Sequence, residues 1–265
     1  MSLELFSAPE SLCSQKVKLV LAEKQLEWKS HSLNLLTFDN LQPDYMRINP
    51  RGVVPTLIHQ GRVITDSAAI VRYLNEQFPH PRLVPADLSS KEKMDDWIEL
   101  QNQFPTREMM YGNYKGLEGA VLRRSVELKE KLLPQLIQSN PELTEQYTTK
   151  LKDVRQWRQA INNTAEIESL NAKIAPLLDQ LEVALSQSDW LCGVHYSLAD
   201  TVWTAVLHRM DELNFDYLWK DSMRPALEAY FNRLQSRPSF AVAVRADKTP
   251  LPMLIAGLWR IAIGV

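Results

Sequence analysis

Residues 49–79 read NPRGVVPTLIHQGRVITDSAAIVRYLNEQFP, and this stretch decides the fold. Two short β-prone runs, 56–59 (TLIH) and 62–65 (RVIT), flank Gln60-Gly61. Extended runs on either side of a tight Gly-containing turn predict a β-hairpin. Asp66 and Ser67 follow, each able to cap a helix, and residues 68–78 carry an apolar stripe at Ile70, Val71 and Leu74. That pattern predicts a helix directly after the hairpin. Pro55 stands just ahead of the first strand. A proline cannot donate to a ladder there. A cis bond would turn the backbone and leave the Val54 N–H and C=O for an extended ligand, whereas a trans proline at a strand start is the commoner arrangement.

Upstream, residues 3–6 alternate around Leu3 and Leu5 and read as a strand. Residues 8–11 read as a loop, 14–23 as a helix, 28–35 as a second strand, and 38–47 as a loop or short helix. The order β-α-β-(α)-β-β-α makes residues 1–80 a small α/β domain. Downstream, Phe78-Pro-His-Pro81 through Pro85 is a proline-rich joint. Beyond it the periodicity is helical over 91–103, 117–138, 141–163, 165–186, 197–212 and 224–236. The expected architecture is therefore α/β plus all-α, with a second domain at 86–248 and a tail at 249–265. The stretch from 117 to 168 is rich in Lys, Glu, Arg and Gln and reads as long, solvated or mutually packed helices.

Composition excludes several classes of function. The chain has 265 residues, with 30 Lys+Arg against 32 Asp+Glu and a formal net charge of −2. That balance gives no electrostatic ground for binding nucleic acid or an anionic membrane. Hydrophobic residues at 45% and charged residues at 23% exclude disorder and a coiled-coil composition. With only 8 glycines, neither a GxGxxG nor a GxxxxGK[ST] phosphate loop occurs. The 2 cysteines exclude a disulfide scaffold and fit a reducing, cytoplasmic setting. The 5 histidines show no ligand spacing, so no metal is expected. No GxSxG nucleophile elbow is present. The N-terminus lacks the basic start and apolar run of a secretory signal.

Cys13 sits where a loop hands over to a helix, with Lys16 and Lys18 close in sequence. The positive end of a helix dipole favours the thiolate. The competing reading is a small buried hydrophobe, which is the reading for Cys192 in the apolar run Trp190-Leu-Cys-Gly193. Asp66-Ser67 offers a hydroxyl and helix-start N–H groups to a carboxylate, with plain capping as the alternative. Ser197-Leu-Ala-Asp200 is a helix cap, and its role is structural. The chain closes on LPMLIAGLWRIAIGV, residues 251–265. As a helix this tail reaches about 22 Å, short of the ~30 Å hydrocarbon core of a bilayer. Two readings of it stand: peripheral membrane contact through Trp259 and Arg260, or a tail folded over the helical domain or across a dimer contact.

Taken in order, a cysteine-bearing loop, a Val-Pro hairpin, an Asp-Ser helix start, a proline joint and helices with an S-x-x-D cap resemble the glutathione S-transferase family. Residues 49–79 are similar to that family's glutathione-binding segment. FDNLQPDYMRINPRGVVPTL, HYSLADTVWTAVLHRMDELN, SLCSQKVKL and YGNYKG further resemble the tetrachlorohydroquinone reductive dehalogenases and the ganglioside-induced differentiation-associated branch. The resemblance implies a thioredoxin-like N-terminal domain followed by an all-helical domain with a long helical insertion. It implies that Val54 pairs with the cysteinyl part of glutathione, that Pro55 is cis, and that Asp66 and Ser67 hold the γ-glutamyl end. Cys13 matches the cysteine of the dehalogenases, Ser11 stands where serine-type members carry a hydroxyl, and Tyr111 lines the second-substrate pocket. The implied activity is detoxifying transfer of glutathione, as co-substrate, to a small electrophile, or glutathionyl-thiol exchange through Cys13, in a homodimer. Two alternatives accompany it: reductive dehalogenation of halogenated hydroquinones, and a membrane-associated adaptor with little or no catalysis. Dithiol exchange of the thioredoxin kind is disfavoured, because Lys16 stands where a CxxC motif needs its second cysteine.

Overall fold

The structure is a computed structural model that describes residues 2–264. Its first domain runs β1 (Leu3–Ser7), α1 (Leu12–Glu23), β2 (Trp28–Ser32), α2 (Pro43–Ile48), β3 (Thr56–His59), β4 (Arg62–Thr65) and α3 (Ser67–Gln77). The strands form one sheet in the order β2-β1-β3-β4. β1 and β2 are parallel, while β3 is antiparallel to both β1 and β4. The expected hairpin is present with its expected bounds, Leu57 facing Ile64 and His59 facing Arg62.

Two boundaries differ from the sequence reading, each for a local reason. α1 begins at Leu12 because the Ser11 side chain accepts from the Ser14 N–H and caps the helix, which puts Cys13 inside the first turn. β2 stops at Ser32 instead of running to 35. Asn34 donates its N–H to Asp39 Oδ2 (2.9 Å) and accepts from the Leu36 N–H (3.0 Å). Side-chain bonds of this kind compete with the ladder and turn the chain.

The second domain is helical: α4 (Leu88–Gln103), α5 (Thr106–Asn113), α6 (Gly116–Ser139), α7 (Thr144–Ile161), α8 (Thr164–Asn171), α9 (Ile174–Leu185), α10 (Leu198–Glu212) and α11 (Pro225–Ser236). A short α12 (Pro238–Phe240) runs into a π-turn, Ala241–Arg245, and α13 (Leu251–Ile263) closes the chain. The single helix expected over 165–186 is broken into α8 and α9. Pro176 lies in the first turn of α9, where its missing N–H costs nothing, whereas inside a longer helix it would remove a bond. α5 is an added helix whose 8 residues were too few and too polar to show a stripe.

The core has two parts. One joins the sheet to the helices, with Leu5, Val17, Val20, Leu57, Ile70 and Leu74 packed toward Trp203, Val206, Trp219 and Leu227. α1 lies against α3 on one side and α10 on the other, so it is the shared wall of the two domains. The other part lies between α6 and α7, where Val126, Leu133, Tyr147 and Val154 enclose Phe38, Leu41 and Met46 from the sheet domain. Burying such side chains stabilises by about 1.5–3 kcal/mol each. The long α6–α7 hairpin thus grips the turn after β2. Asp200 behaves as the sequence implies: wholly buried, it accepts from the Ser197 N–H (2.7 Å), the Leu191 N–H (2.9 Å) and the Tyr230 hydroxyl (2.9 Å). Cys192 is buried, and desolvation pushes its thiol up to about 12.

The tail is folded over the protein. Asn34 Nδ2 donates to the Met253 carbonyl (2.7 Å), and Ile261 enters the α6–α7 core. Its outer face, including Ile255, Leu258 and Trp259, is exposed. No helix of the described residues is long and apolar enough to cross a membrane.

Candidate active site

Strand register brings the sequence-singled residues to one edge of the sheet. Phe6 pairs with Thr56, and Thr56 with Thr65. The chain leaves β1 at this row, enters β3 at it and leaves β4 at it. The loop leading to Ser11 and Cys13, the Val54-Pro55 turn, and Asp66-Ser67 therefore all emerge from the same edge.

The Val54-Pro55 bond is cis. Preceding residues fix the turn through the Val53 carbonyl, which accepts from the Tyr45 hydroxyl (2.6 Å) and Asn49 Nδ2 (2.8 Å). Both groups also reach Thr56 Oγ1, and burial pushes the Tyr45 phenol above its usual range. Gly52 completes the support: its φ is +56°, and a Cβ there would lie 2.8 Å from the Met46 sulfur. Val54 itself makes no backbone hydrogen bond to another described residue. Its N–H and C=O are left beside the cis bond, as an extended peptide ligand would need.

Asp66 caps α3 in a left-handed conformation, φ 78°. Its Oδ1 accepts from the Ala68 N–H (2.9 Å), and its Oδ2 lies 3.5 Å from Arg51. A positive φ at a non-glycine residue is strained, and such strain concentrates at ligand sites. Ser67 follows as the first residue of α3, half-buried. On the other side of the edge, Ser11 caps α1, and the half-buried Cys13 is its second helical residue. Lys16 lies one turn further on. It is 5% exposed and donates to Gln101 Oε1 of α4 (2.5 Å). Burial lowers its ammonium below the usual lysine range, against the pull of Cys13 and Asp66.

The helical domain reaches the same loop. Arg209 of α10, 4% exposed, donates to the Glu10 carbonyl (2.5 Å) and to the Tyr114 hydroxyl. Tyr111 lies edge-on to Trp157, ring centroids 4.5 Å apart, and burial pushes its phenol up to about 12. Tyr114 and Arg209 act electrostatically on that phenol. A separate recess of about 420 Å³, lined by residues including Pro105, Arg107 and Lys173, takes in none of the sheet-edge residues.

Ser11, Cys13, Val54, Pro55, Asp66 and Ser67 are thus gathered at one edge, with Tyr111 on the helical side. The sequence reading did not assign Tyr45, Asn49, Arg51, Gln101, Tyr114 or Arg209. Tyr114 shared the YGNYKG motif with Tyr111, a signal available in the sequence. Tyr45, Asn49 and Arg51 also lay in a quoted stretch and act over 8, 4 and 15 positions, whereas Gln101 and Arg209 act over 85 and 199.

Two family models match: the glutathione S-transferase N-terminal domain over residues 10–77 and the glutathione S-transferase C-terminal domain over 157–238. Protein LigF of Sphingobium sp. is 30% identical over 247 residues, an alignment covering 90% of this chain and 91% of that protein. The chain belongs to the glutathione S-transferase family. The crystal structure of LigF, a beta-etherase, superposes with a TM-score of 0.74 at 26% identity, over 92% of this chain and 99% of that one. Tetrachloro-p-hydroquinone reductive dehalogenase of Sphingobium chlorophenolicum is 28% identical, covering 90% of this chain and 94% of that protein. Human ganglioside-induced differentiation-associated protein 1-like 1 is 27% identical, covering 90% and 72%. The family's two-domain plan of a thioredoxin-like sheet domain followed by helices is the plan of this chain.

Proposed function

We propose that the chain is a glutathione-dependent transferase acting on small electrophiles, with Cys13 available for glutathionyl-thiol exchange. The observation that carries this reading is the backbone of Val54, without a hydrogen-bond partner among the described residues, beside a cis proline and on the sheet edge that bears Ser11 and Cys13. Glutathione lies extended along Val54. Asp66 takes its ammonium, while Ser67 and the start of α3 take the γ-glutamyl carboxylate. Arg51, exposed beside Asp66, supplies a cation for the remaining carboxylate.

The thiol then lies over the start of α1. The helix N-terminus and the Ser11 hydroxyl stabilise the thiolate as its proton passes to solvent. The sulfur attacks the electrophilic carbon, the C–S bond forms, and the leaving group departs with the electron pair of its bond. In the exchange branch, the Cys13 thiolate attacks the sulfur of a glutathionyl adduct. The S–S bond forms, and the adduct's other fragment leaves with the bonding pair and takes a proton. A second glutathione thiolate attacks the mixed disulfide, releasing oxidised glutathione and restoring Cys13. The relative named as a reductive dehalogenase supports this branch, and halogenated hydroquinones are its first substrates to try.

Titration calorimetry with millimolar glutathione tests the reading, paired with conjugation and deglutathionylation assays on the wild type and Cys13→Ser. Heat of binding is expected, with exchange lost and conjugation kept in the variant. An unchanged variant removes Cys13 from the mechanism. Absence of both binding and thiol chemistry leaves the adaptor reading in its place.

A further inference from the structure

Glu10, the residue before the cap of α1, sits in a left-handed conformation, φ +57°. Such backbone is strained for a residue with a Cβ and persists where surrounding groups hold it. Every polar group of Glu10 is held, each from the helical side of the molecule. Its N–H donates to Asp247 Oδ2 (3.1 Å), and its carbonyl accepts from Arg209 (2.5 Å). Its carboxylate accepts from the Thr249 hydroxyl (2.6 Å) and lies 3.4 Å from Lys248 Nζ. Among the described residues, none of its bonds returns to the sheet domain that it belongs to.

Three of these partners come from residues 247–249, the segment between the π-turn and α13. That segment is itself fixed: the Asp247 N–H donates to the Val244 carbonyl (3.1 Å) and the Lys248 N–H to the Ala246 carbonyl (2.9 Å). Asp247 uses both carboxylate oxygens. Oδ2 takes the Glu10 N–H, and Oδ1 takes Lys18 Nζ of α1 (2.5 Å), in a pair whose side chains are 11% and 8% exposed. One carboxylate therefore spans the loop before the cap and the body of the helix that the cap begins. A tie between domains needs only the Lys18 pair. The bond to a backbone N–H, and the Thr249 hydroxyl on the side chain of the same residue, fix the conformation of residue 10.

The next residue is Ser11. Its Oγ accepts from the Ser14 N–H (3.4 Å) and its carbonyl from the Gln15 N–H (2.8 Å). Its hydroxyl proton has no acceptor among the described residues, so it is free to point at a bound sulfur. A change of φ at residue 10 swings the chain that follows it, Ser11 first. We propose that Asp247 and Thr249 are positioning residues: acting through Glu10, they aim the Ser11 hydroxyl and the start of α1 at the glutathione sulfur. This role rests on the transferase reading and adds to it a part for the segment that leads into α13.

The full-length wild type is compared with Asp247→Asn, Thr249→Val and Thr249→Ser. Asparagine has one acceptor where two donors converge, valine lacks the hydroxyl, and serine keeps it. In the Asn and Val variants the Ser14 and Gln15 amides are expected to exchange about tenfold faster, with β1 and β3 amides unchanged. The ultraviolet band of the thiolate of bound glutathione is expected to appear at a pH about 1 higher than in the wild type. Affinity for S-methylglutathione, which has no thiol to ionise, should change little by calorimetry. Thr249→Ser should behave as the wild type. Unchanged Ser14 and Gln15 amides, acceleration spread evenly over the chain, or a thiolate band that does not move overturns the proposal. If S-methylglutathione binds and the band does not move, the positioning role alone falls. If the wild type binds neither glutathione nor S-methylglutathione, the transferase reading falls and takes this role with it.

Discussion

Arg209, from the middle of the helical domain, donates to the carbonyl of Glu10, the residue before Ser11, at 2.5 Å. The same guanidinium bonds the Tyr114 hydroxyl and pairs with Glu212 at 2.9 Å. One buried side chain therefore ties the loop that carries Ser11 and Cys13 to the motif that carries Tyr111. The neighbouring backbone is held as well: the Glu10 N–H donates to Asp247 Oδ2 (3.1 Å), which is itself paired with Lys18 at 2.5 Å. The loop is pinned by groups of the helical domain, so its geometry is a property of both domains.

Replacing Arg209 by Met leaves the Glu10 carbonyl and the Tyr114 hydroxyl without that donor, while Glu212 keeps His208 (3.4 Å) and Lys248 (3.8 Å). Leaving a part-buried polar group unsatisfied costs about 1–3 kcal/mol. Arg209→Lys keeps the charge but cannot span both partners, and should lose roughly half as much. Urea denaturation measures both. If the loop is held for catalysis, the Lys variant also loses about tenfold or more in kcat while its calorimetric affinity for glutathione, which the proposed function assigns to Val54 and Asp66, changes little.

Gly119 offers a test in which the usual sign is reversed. It lies in the first turns of α6, where alanine normally stabilises a helix by about 1 kcal/mol. A Cβ at this position would stand 2.0 Å from the Tyr114 carbonyl oxygen. Gly119→Ala should therefore destabilise by about 1–3 kcal/mol, and it should displace the tyrosine that Arg209 holds. A thermal melt that rises would show that the α5–α6 turn yields freely.

The sheet domain was legible because its signals are local. A Gly-containing turn between two β-prone runs, a capping aspartate and a proline joint each act within a few residues, and the structure places them as read. Boundaries went astray where a side chain overrode the pattern, as Asn34 does at the end of β2 and Pro176 does between α8 and α9. The candidate site was half legible. Ser11, Cys13, Val54, Pro55, Asp66 and Ser67 come from contiguous motifs. Arg209 and Gln101 act on residues 199 and 85 positions away, and no periodicity reports such pairings. Lys129 was hidden for another reason. In a stretch rich in Lys and Glu it looks like one more solvated residue, and only the fold reveals that it points inward.

Docking of the tail depends on Gly257. A Cβ there would meet the Leu36 Cβ at 2.7 Å, so glycine is what lets α13 lie close on the turn after β2. Gly257→Leu should lift α13 while leaving the sheet and the α4–α11 helices folded. Amides of residues 251–263 should then exchange faster by about tenfold or more, the signature of a local opening reduced by at least ~1.4 kcal/mol. Amides of β1 and β3 serve as the internal reference. Uniform acceleration across the chain would show that the tail is part of the global folding unit.

Lys129 makes stability depend on pH in a way that one variant isolates. Burial brings its amine down to about 7 in the folded protein, against the ordinary lysine value of 10.5. Below about pH 7 both states carry the proton and the folded state bears the whole cost of a buried charge. Between about 7 and 10.5 the unfolded chain binds more protons than the folded one, so stability from this group rises with pH. At most about 5 kcal/mol is involved. Lys129→Met lacks the effect, so it should exceed the wild type in stability by most at or below pH 7. The gap should close as pH approaches 10. Urea denaturation of both proteins at pH 6, 8 and 9.5 measures it, and subtracting the two curves cancels every other titrating group. A gap constant over that range would mean that the amine keeps its proton by finding an acceptor inside the fold.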